Sequence, residues 1–383
     1  MLTDSEKTGG FNFFSRLKID WILLLSVVAI SFLGLLTMTS FESGDSYFIK
    51  QFSWLVISMT IFFILSFIDY RFLKKTKVVT LIFLVSVFIL IVLSAVGNTV
   101  KGAQSWFSIG GMSFQPSDPI KLALIILLAK YFSRRHVEIA NIRHIFVSGF
   151  YAFVICILVF LQPDFGSALI IFLIWLGMIL VSGISKKHLL IVFLLGATAF
   201  SGLWMYVLQD YQKNRIINFL HPLADIRGSG YNAYQATIAV GSGQILGKGI
   251  GYGTQSKLQF LPEYKTDFIF AAFAEEWGFV GVLLLFLFFA ILIWRVIANA
   301  YHGATNFEIL FGLGLAVMFM SHFLINVGMC LGLMPVTGIN FPFMSYGGTN
   351  LLSSFVGLGM LMGMRRIRRD AHRDTIKNEF LGL

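Results

Sequence analysis

An all-α polytopic membrane protein, with about ten transmembrane helices and one large extracytoplasmic loop, is the fold class this sequence predicts. Three observations predict it. The 383 residues are 57% hydrophobic and only 13% charged, roughly half the charged share of a soluble domain. Apolar runs of about 20 residues, the length that crosses a bilayer, recur from one end to the other. The Lys and Arg residues gather between those runs in alternate connections, as membrane topology requires. The net charge of +10 therefore belongs to the loops and is not the footprint of a nucleic-acid partner.

The apolar pattern places helices at 20–39, 52–68, 78–96, 119–132, 145–161, 165–182, 188–208, 268–297, 307–333 and 349–364. The first, following a short polar segment with no small-residue cleavage site, also serves as the insertion signal. Basic residues lie before it (Arg16, Lys18), then at Arg71 to Lys77, at Arg134, Arg135 and Arg143, at Lys186 and Lys187, at Arg295, and at Arg365 to Arg369. With ten helices these all fall on one side, so both termini are expected in the cytoplasm. The fourth helix is short. The fifth and sixth are joined by the tight turn Gln162-Pro163-Asp164. One membrane domain, 1–383, results, with a cytoplasmic tail at 1–19, an extracytoplasmic loop at 209–266 and a basic cytoplasmic tail at 365–383. A loop of that length in a compact protein is usually functional. Cys156 and Cys330 lie in apolar runs and read as small core residues, and no metal-ligand spacing is present.

Four polar motifs fall at helix boundaries on the outer side. In Gln115-Pro116-Ser117-Asp118-Pro119-Ile120-Lys121, Ser117 or Asp118 suits a helix cap. Lys121 opposes the helix dipole at the membrane edge and needs an anion, either Asp118 at i−3 or a ligand phosphate. Asp164 is placed to cap the sixth helix. The stretch 335–348 reads as a semi-rigid loop at the interface, with Tyr346 among its anchors. The fourth motif, 261–271, sets Asp267 against the apolar run that starts at Phe268. Thr266 is the expected cap, which leaves the Asp267 carboxylate near the positive end of the helix dipole and ionised. Glu275 and Glu276 follow about 12 Å further in and must pair, face a polar interior or be protonated.

Together these motifs resemble the SEDS family (RodA/FtsW-like), and the runs 247–249 and 253–263 resemble its RodA branch. That resemblance implies a peptidoglycan glycosyltransferase of cell elongation, a ten-helix enzyme that polymerises lipid II on the outer face of the bacterial cytoplasmic membrane. It implies as partners a class B penicillin-binding protein transpeptidase and other elongation-machinery membrane proteins. The family's essential aspartate falls on Asp267. Asp118 stands where the family usually has Glu, Lys265 where it usually has His, and Ser105 where a basic residue is common. The chemistry needs a general base for the acceptor hydroxyl and positive charge for the leaving diphosphate. Asp267 is the expected base, with Lys121, Arg215, Asp118 and Glu263 binding substrate. Asp164, Glu275, Glu276 and Tyr346 are expected to support them. No cofactor is implied, apart from a divalent cation as an alternative source of positive charge. A transporter of the lipid-linked precursor and the FtsW-type division paralogue are the competing readings. The gathering of polar motifs at one face, and not at the midplane, weighs against the transporter.

Overall fold

The structure, a computed structural model, describes residues 19–40, 44–100, 103–109, 112–134, 142–206, 208–221 and 230–381. The tail 1–18, with Arg16 and Lys18, and the loop residues Gly102, Arg135, Arg227, Gly228 and Ser229 lie outside them.

All ten expected segments are helical. In chain order the elements are α1 Trp21–Thr39, α2 Gly44–Ser66, α3 Thr76–Val96, β1 Asn98–Val100, β2 Ala103–Ile109, β3 Met112–Phe114, α4 Ser117–Ser133, α5 Ile142–Phe160, α6 Phe165–Val181, α7 Lys186–Tyr206, α8 Asp210–Leu220, α9 Tyr231–Ser242, α10 Thr254–Lys257, α11 Ile269–Tyr301, α12 Asn306–Cys330 and α13 Gly348–Leu381. Seven of the described helices are long and apolar enough to cross a membrane: α1, α2 from Tyr47, α3, α5, α7, α11 and α12. α4 and α6 have 17 residues each, about 26 Å at 1.5 Å per residue.

Two departures from the sequence reading have local causes. Asn98–Val100, Ala103–Ile109 and Met112–Phe114 form a three-stranded antiparallel sheet in the order β1-β2-β3, where only a connector was expected. Gly110-Gly111 between two apolar-polar alternations is the hairpin signal that identifies it. The segment 209–266 is not a plain Gly-rich loop either. It carries α8, α9 and α10, and α8 opens with a reciprocal cap between Gln209 and Gln212.

The glycines at 243–253 have a structural purpose. α11 is broken at Gly278, whose φ of 63° and ψ of −166° lie outside helical values. The loop before α10 lies against the break. Lys248 and Gly249 N–H donate to the Glu275 and Glu276 carbonyls (3.0 Å each), and Phe279 and Val280 N–H donate to Gln244 and Ile245 carbonyls (2.9 and 3.1 Å). These bonds satisfy backbone groups that the break releases in an apolar setting. A β-carbon at Gly243 or Gly247 would collide with the α11 carbonyls, so the approach requires glycine.

At the basic end, the buried Asp20 carboxylate caps α1 through Leu23 N–H (3.2 Å) and accepts from Arg295 Nε (2.8 Å), Asn299 Nδ2 (2.7 Å) and Arg365 Nη1 (3.3 Å). It ties α1, α11 and α13 together. Burial pushes its pKa up, but the hydrogen bonds from Arg295, Asn299 and Leu23, with the Arg295 charge, win and hold it below the usual carboxylate value. At the opposite end Ser40, just past α1, donates to Glu276 (3.2 Å). The four motifs lie at that end.

Candidate active site

Asp267 sits in a turn and not in the first turn of a helix. α11 begins at Ile269, Phe268 is its N-cap residue, and no side chain caps it. Thr266 is not the expected cap, because its hydroxyl turns back to the Glu263 carboxylate (3.2 Å). The turn is closed by Glu263, at φ 54°, whose carbonyl accepts from both Thr266 and Phe268 N–H (3.2 Å each).

The loop 335–347 is fastened onto this turn. Ser345 Oγ donates to the Thr266 carbonyl (2.6 Å) and accepts from Phe341 N–H (2.8 Å). Tyr346 N–H donates to the Lys265 carbonyl (3.0 Å). Asn326, fully buried in α12, donates from Nδ2 to the carbonyls of Asp267 (2.8 Å) and Ile339 (2.7 Å), so one amide holds both strands of the junction. Gln51 of α2 donates from Nε2 to the Ser345 carbonyl (3.0 Å) and accepts from Gly347 N–H (3.3 Å). Below the junction Phe270 stacks on Phe341 at 6.2 Å, and Phe289 on Phe323 at 4.1 Å. The main chain of Asp267 is therefore fixed, while its half-buried side chain faces Gly338. A β-carbon at Gly338 would lie 3.5 Å from Asp267 Oδ2, and its φ of 73° also favours glycine.

The other motifs meet the same loop. Asp164 caps α6 by accepting from Ser167 N–H (2.9 Å) and also accepts from Gln115 Nε2 (2.9 Å). Gly166 packs directly under the Thr337 carbonyl. Gln115 N–H reaches Thr349 Oγ1 (3.3 Å). α4, however, has Pro116 at its cap position with no side-chain cap bond, so neither Ser117 nor Asp118 caps it. Asp118 instead binds Lys121 Nζ at 3.0 Å with both side chains buried, and Asn350 approaches the same oxygen (3.4 Å). The pair lines a small polar pocket with His322, Ser353 and Ser354. The exposed Arg215 lines a different cleft, with Phe165 and the outer side of the loop at Pro335 to Thr337. Lys121 and Arg215 thus line separate pockets.

The family model for FtsW, RodA and SpoVE, described as cell cycle proteins, matches residues 14–370. The chain belongs to this family. The peptidoglycan glycosyltransferase MrdB of Escherichia coli K12 is 35% identical over 288 residues, 75% of this chain and 78% of that protein. The probable peptidoglycan glycosyltransferase FtsW of Haemophilus influenzae is 36% identical over 288 residues, 73% and 72% of the two chains. A chain from a solved peptidoglycan synthase complex, described for its coordination of polymerization and crosslinking, superposes with a TM-score of 0.78 at 30% identity. It covers 91% of this chain and 98% of that one.

In this FtsW/RodA/SpoVE-family chain the paired glutamates have separate partners. Glu275, fully buried, accepts from Lys248 Nζ (2.6 Å), Thr254 Oγ1 (3.0 Å), Gln255 N–H (3.1 Å) and Ser242 Oγ (3.4 Å). Glu276 accepts from Gly251 N–H (3.2 Å) as well as from Ser40. Both hold the long loop onto the broken helix. Tyr346 meets Tyr47 edge to face at 5.2 Å. Burial and the neighbouring Tyr47 raise the Tyr346 phenol pKa against the pull of Lys265. Sequence reasoning missed Gln51, Asn326, Asn350 and Tyr47. The available signal for Asn326 was an amide inside an otherwise apolar run, which lipid tolerates only when it has partners. Among the described residues no group of three or more His, Cys, Asp or Glu is placed to hold a metal.

Proposed function

We propose that the protein is a peptidoglycan glycosyltransferase that polymerises lipid II, with Asp267 as general base. The observation that carries this reading is the Asp267 junction. A half-buried aspartate stands at a membrane-edge turn whose backbone is pinned by Asn326, Ser345 and Tyr346. A fixed backbone below a partly buried carboxylate suits proton abstraction, because attack geometry tolerates little error. In the reaction the acceptor hydroxyl gives its proton to Asp267 and its oxygen bonds to the anomeric carbon. The bond from that carbon to the diphosphate oxygen breaks, and the electron pair leaves with the diphosphate. One inverting displacement suffices, with no covalent enzyme intermediate.

The whole chain acts as one membrane domain of the bacterial cytoplasmic membrane, with both termini cytoplasmic and 209–266 outside. The Asp20, Arg295 and Arg365 cluster lies at the cytoplasmic end in this orientation, in keeping with the positive-inside rule. A class B penicillin-binding protein is the proposed crosslinking partner, and cell elongation the proposed role. The deciding experiment incubates the purified protein and partner with labelled lipid II. Glycan strands from the wild type support the reading, whereas translocation without polymer points to a transporter. For orientation, a cysteine at exposed Tyr252 should react with an impermeant thiol reagent in intact spheroplasts. Labelling only after lysis contradicts the orientation.

A further inference from the structure

Lys121, the cation expected to meet the lipid diphosphate, already has a buried counter-ion in Asp118. Another cation neighbours Asp267 along the chain. Lys265 precedes it by two residues in the same turn, a span of about 7 Å at most. Its Nζ lies 3.8 Å from the centroid of the Tyr47 ring and 5.1 Å from that of Tyr264. Tyr47 in turn meets Tyr346 edge to face, and the Lys265 carbonyl is bonded to Tyr346 N–H. The start of α2 and the turn itself thus flank the ammonium, and the loop 335–347 fixes the Lys265 backbone and the Tyr47 ring.

Aromatic faces attract a cation without cancelling its charge. Among the described residues no ion pair involves Lys265, in contrast to Lys121. Depth matters as well. The apolar run leading into α11 begins three residues after Lys265, at Phe268, so this turn lies near the polar boundary of the bilayer. The phosphates of a membrane lipid occupy that level, and interfacial aromatics anchor there.

We propose that Lys265, cradled by Tyr47 and Tyr264, is the group that binds the diphosphate of the lipid-linked sugar in this site. The proposal rests on the glycosyltransferase reading and adds the residue that neutralises the leaving group. Lys265 and Asp267 then share one rigid turn. The first receives the charge that grows on the departing diphosphate, and the second receives the acceptor proton. A positioned cation at developing charge is the usual device for such a leaving group.

The test uses the full-length protein with undecaprenyl diphosphate as ligand and undecaprenol as the uncharged control. Lys265→Gln should weaken diphosphate binding by about tenfold or more, the loss expected for one charge-assisted contact, and leave undecaprenol binding unchanged. Lys265→Arg should keep most of the affinity. In the unaltered protein, undecaprenyl diphosphate but not undecaprenol should protect Lys265 from amine acetylation. That footprint decides the matter even if the Gln variant fails to fold. Wild-type diphosphate affinity in Lys265→Gln, or no protection of Lys265, overturns the proposal. Asp267→Asn separates the two readings, since it should bind the diphosphate normally yet make no polymer. If Asp267→Asn polymerises normally while Lys265→Gln loses diphosphate binding, the general-base assignment falls and the diphosphate site stands.

Discussion

Asp267 and Glu275 belong to one continuous stretch of chain, eight residues apart, yet the protein treats their carboxylates in opposite ways. Glu275 is fully buried and receives four donors from three segments of the long loop. Asp267 has its backbone bonded from below and its side chain half-buried beside Gly338. The difference teaches where to look for chemistry in an apolar bundle. A carboxylate surrounded by donors holds structure together. One whose main chain is fixed and whose side chain is only partly buried can exchange a proton.

The comparison breaks most visibly at Glu275. Glu275→Ala strips the partner from Lys248 and frees the loop over the Gly278 break. Thermal unfolding in detergent should show a loss of about 3 kcal/mol or more, as for other broken buried pairs. An unchanged melting temperature would mean that the loop is held by its backbone bonds alone. Asp267→Asn should behave in the opposite manner, with wild-type melting and polymerisation of labelled lipid II reduced roughly a hundredfold, the usual general-base contribution. Near-normal polymer from that variant removes Asp267 from the mechanism. Gly278→Ala tests the geometry that lies between the two. Its positive φ and the contact with the loop backbone should cost about 1 to 3 kcal/mol, read as a lower melting temperature and a looser, protease-sensitive 243–253 loop.

The smallest effect concerns a third buried carboxylate, Asp20, at the basic end. Its folded-state pKa is depressed, so its contribution to stability is fully present above the unfolded value near pH 4. It is lost as pH falls through the lower folded value. Asp20→Asn should therefore flatten the acid limb of the melting-temperature profile below about pH 4. An unchanged acid limb would assign that limb to other groups.

Much of the fold was legible because lipid imposes a strong rule. Backbone in the bilayer must satisfy itself as helix, so long apolar runs in the sequence became helices. The short sheet was legible in principle from the Gly110-Gly111 pair, which lies outside any apolar run long enough to span. The site was legible as four polar motifs at helix boundaries, including Asp267, but not as an assembly. No local pattern announces that Thr266 turns toward Glu263, or that Asp118 takes Lys121 for itself.

The sequence by itself determined the class of protein, the helical segments, and the side of the bundle on which its polar chemistry gathers. Each of these follows from hydropathy and charge that act locally along the chain. Only the tertiary structure decided that Glu275 is fully enclosed while Asp267 is partly buried, that Lys121 and Arg215 line separate pockets, and that Lys265 rests on Tyr47. Those outcomes depend on contacts between residues as distant as Asn326 and Asp267 or Tyr47 and Tyr346. Such contacts form only once the helices pack, because hydrogen bonds and aromatic contacts act over a few ångströms of space and not along the chain.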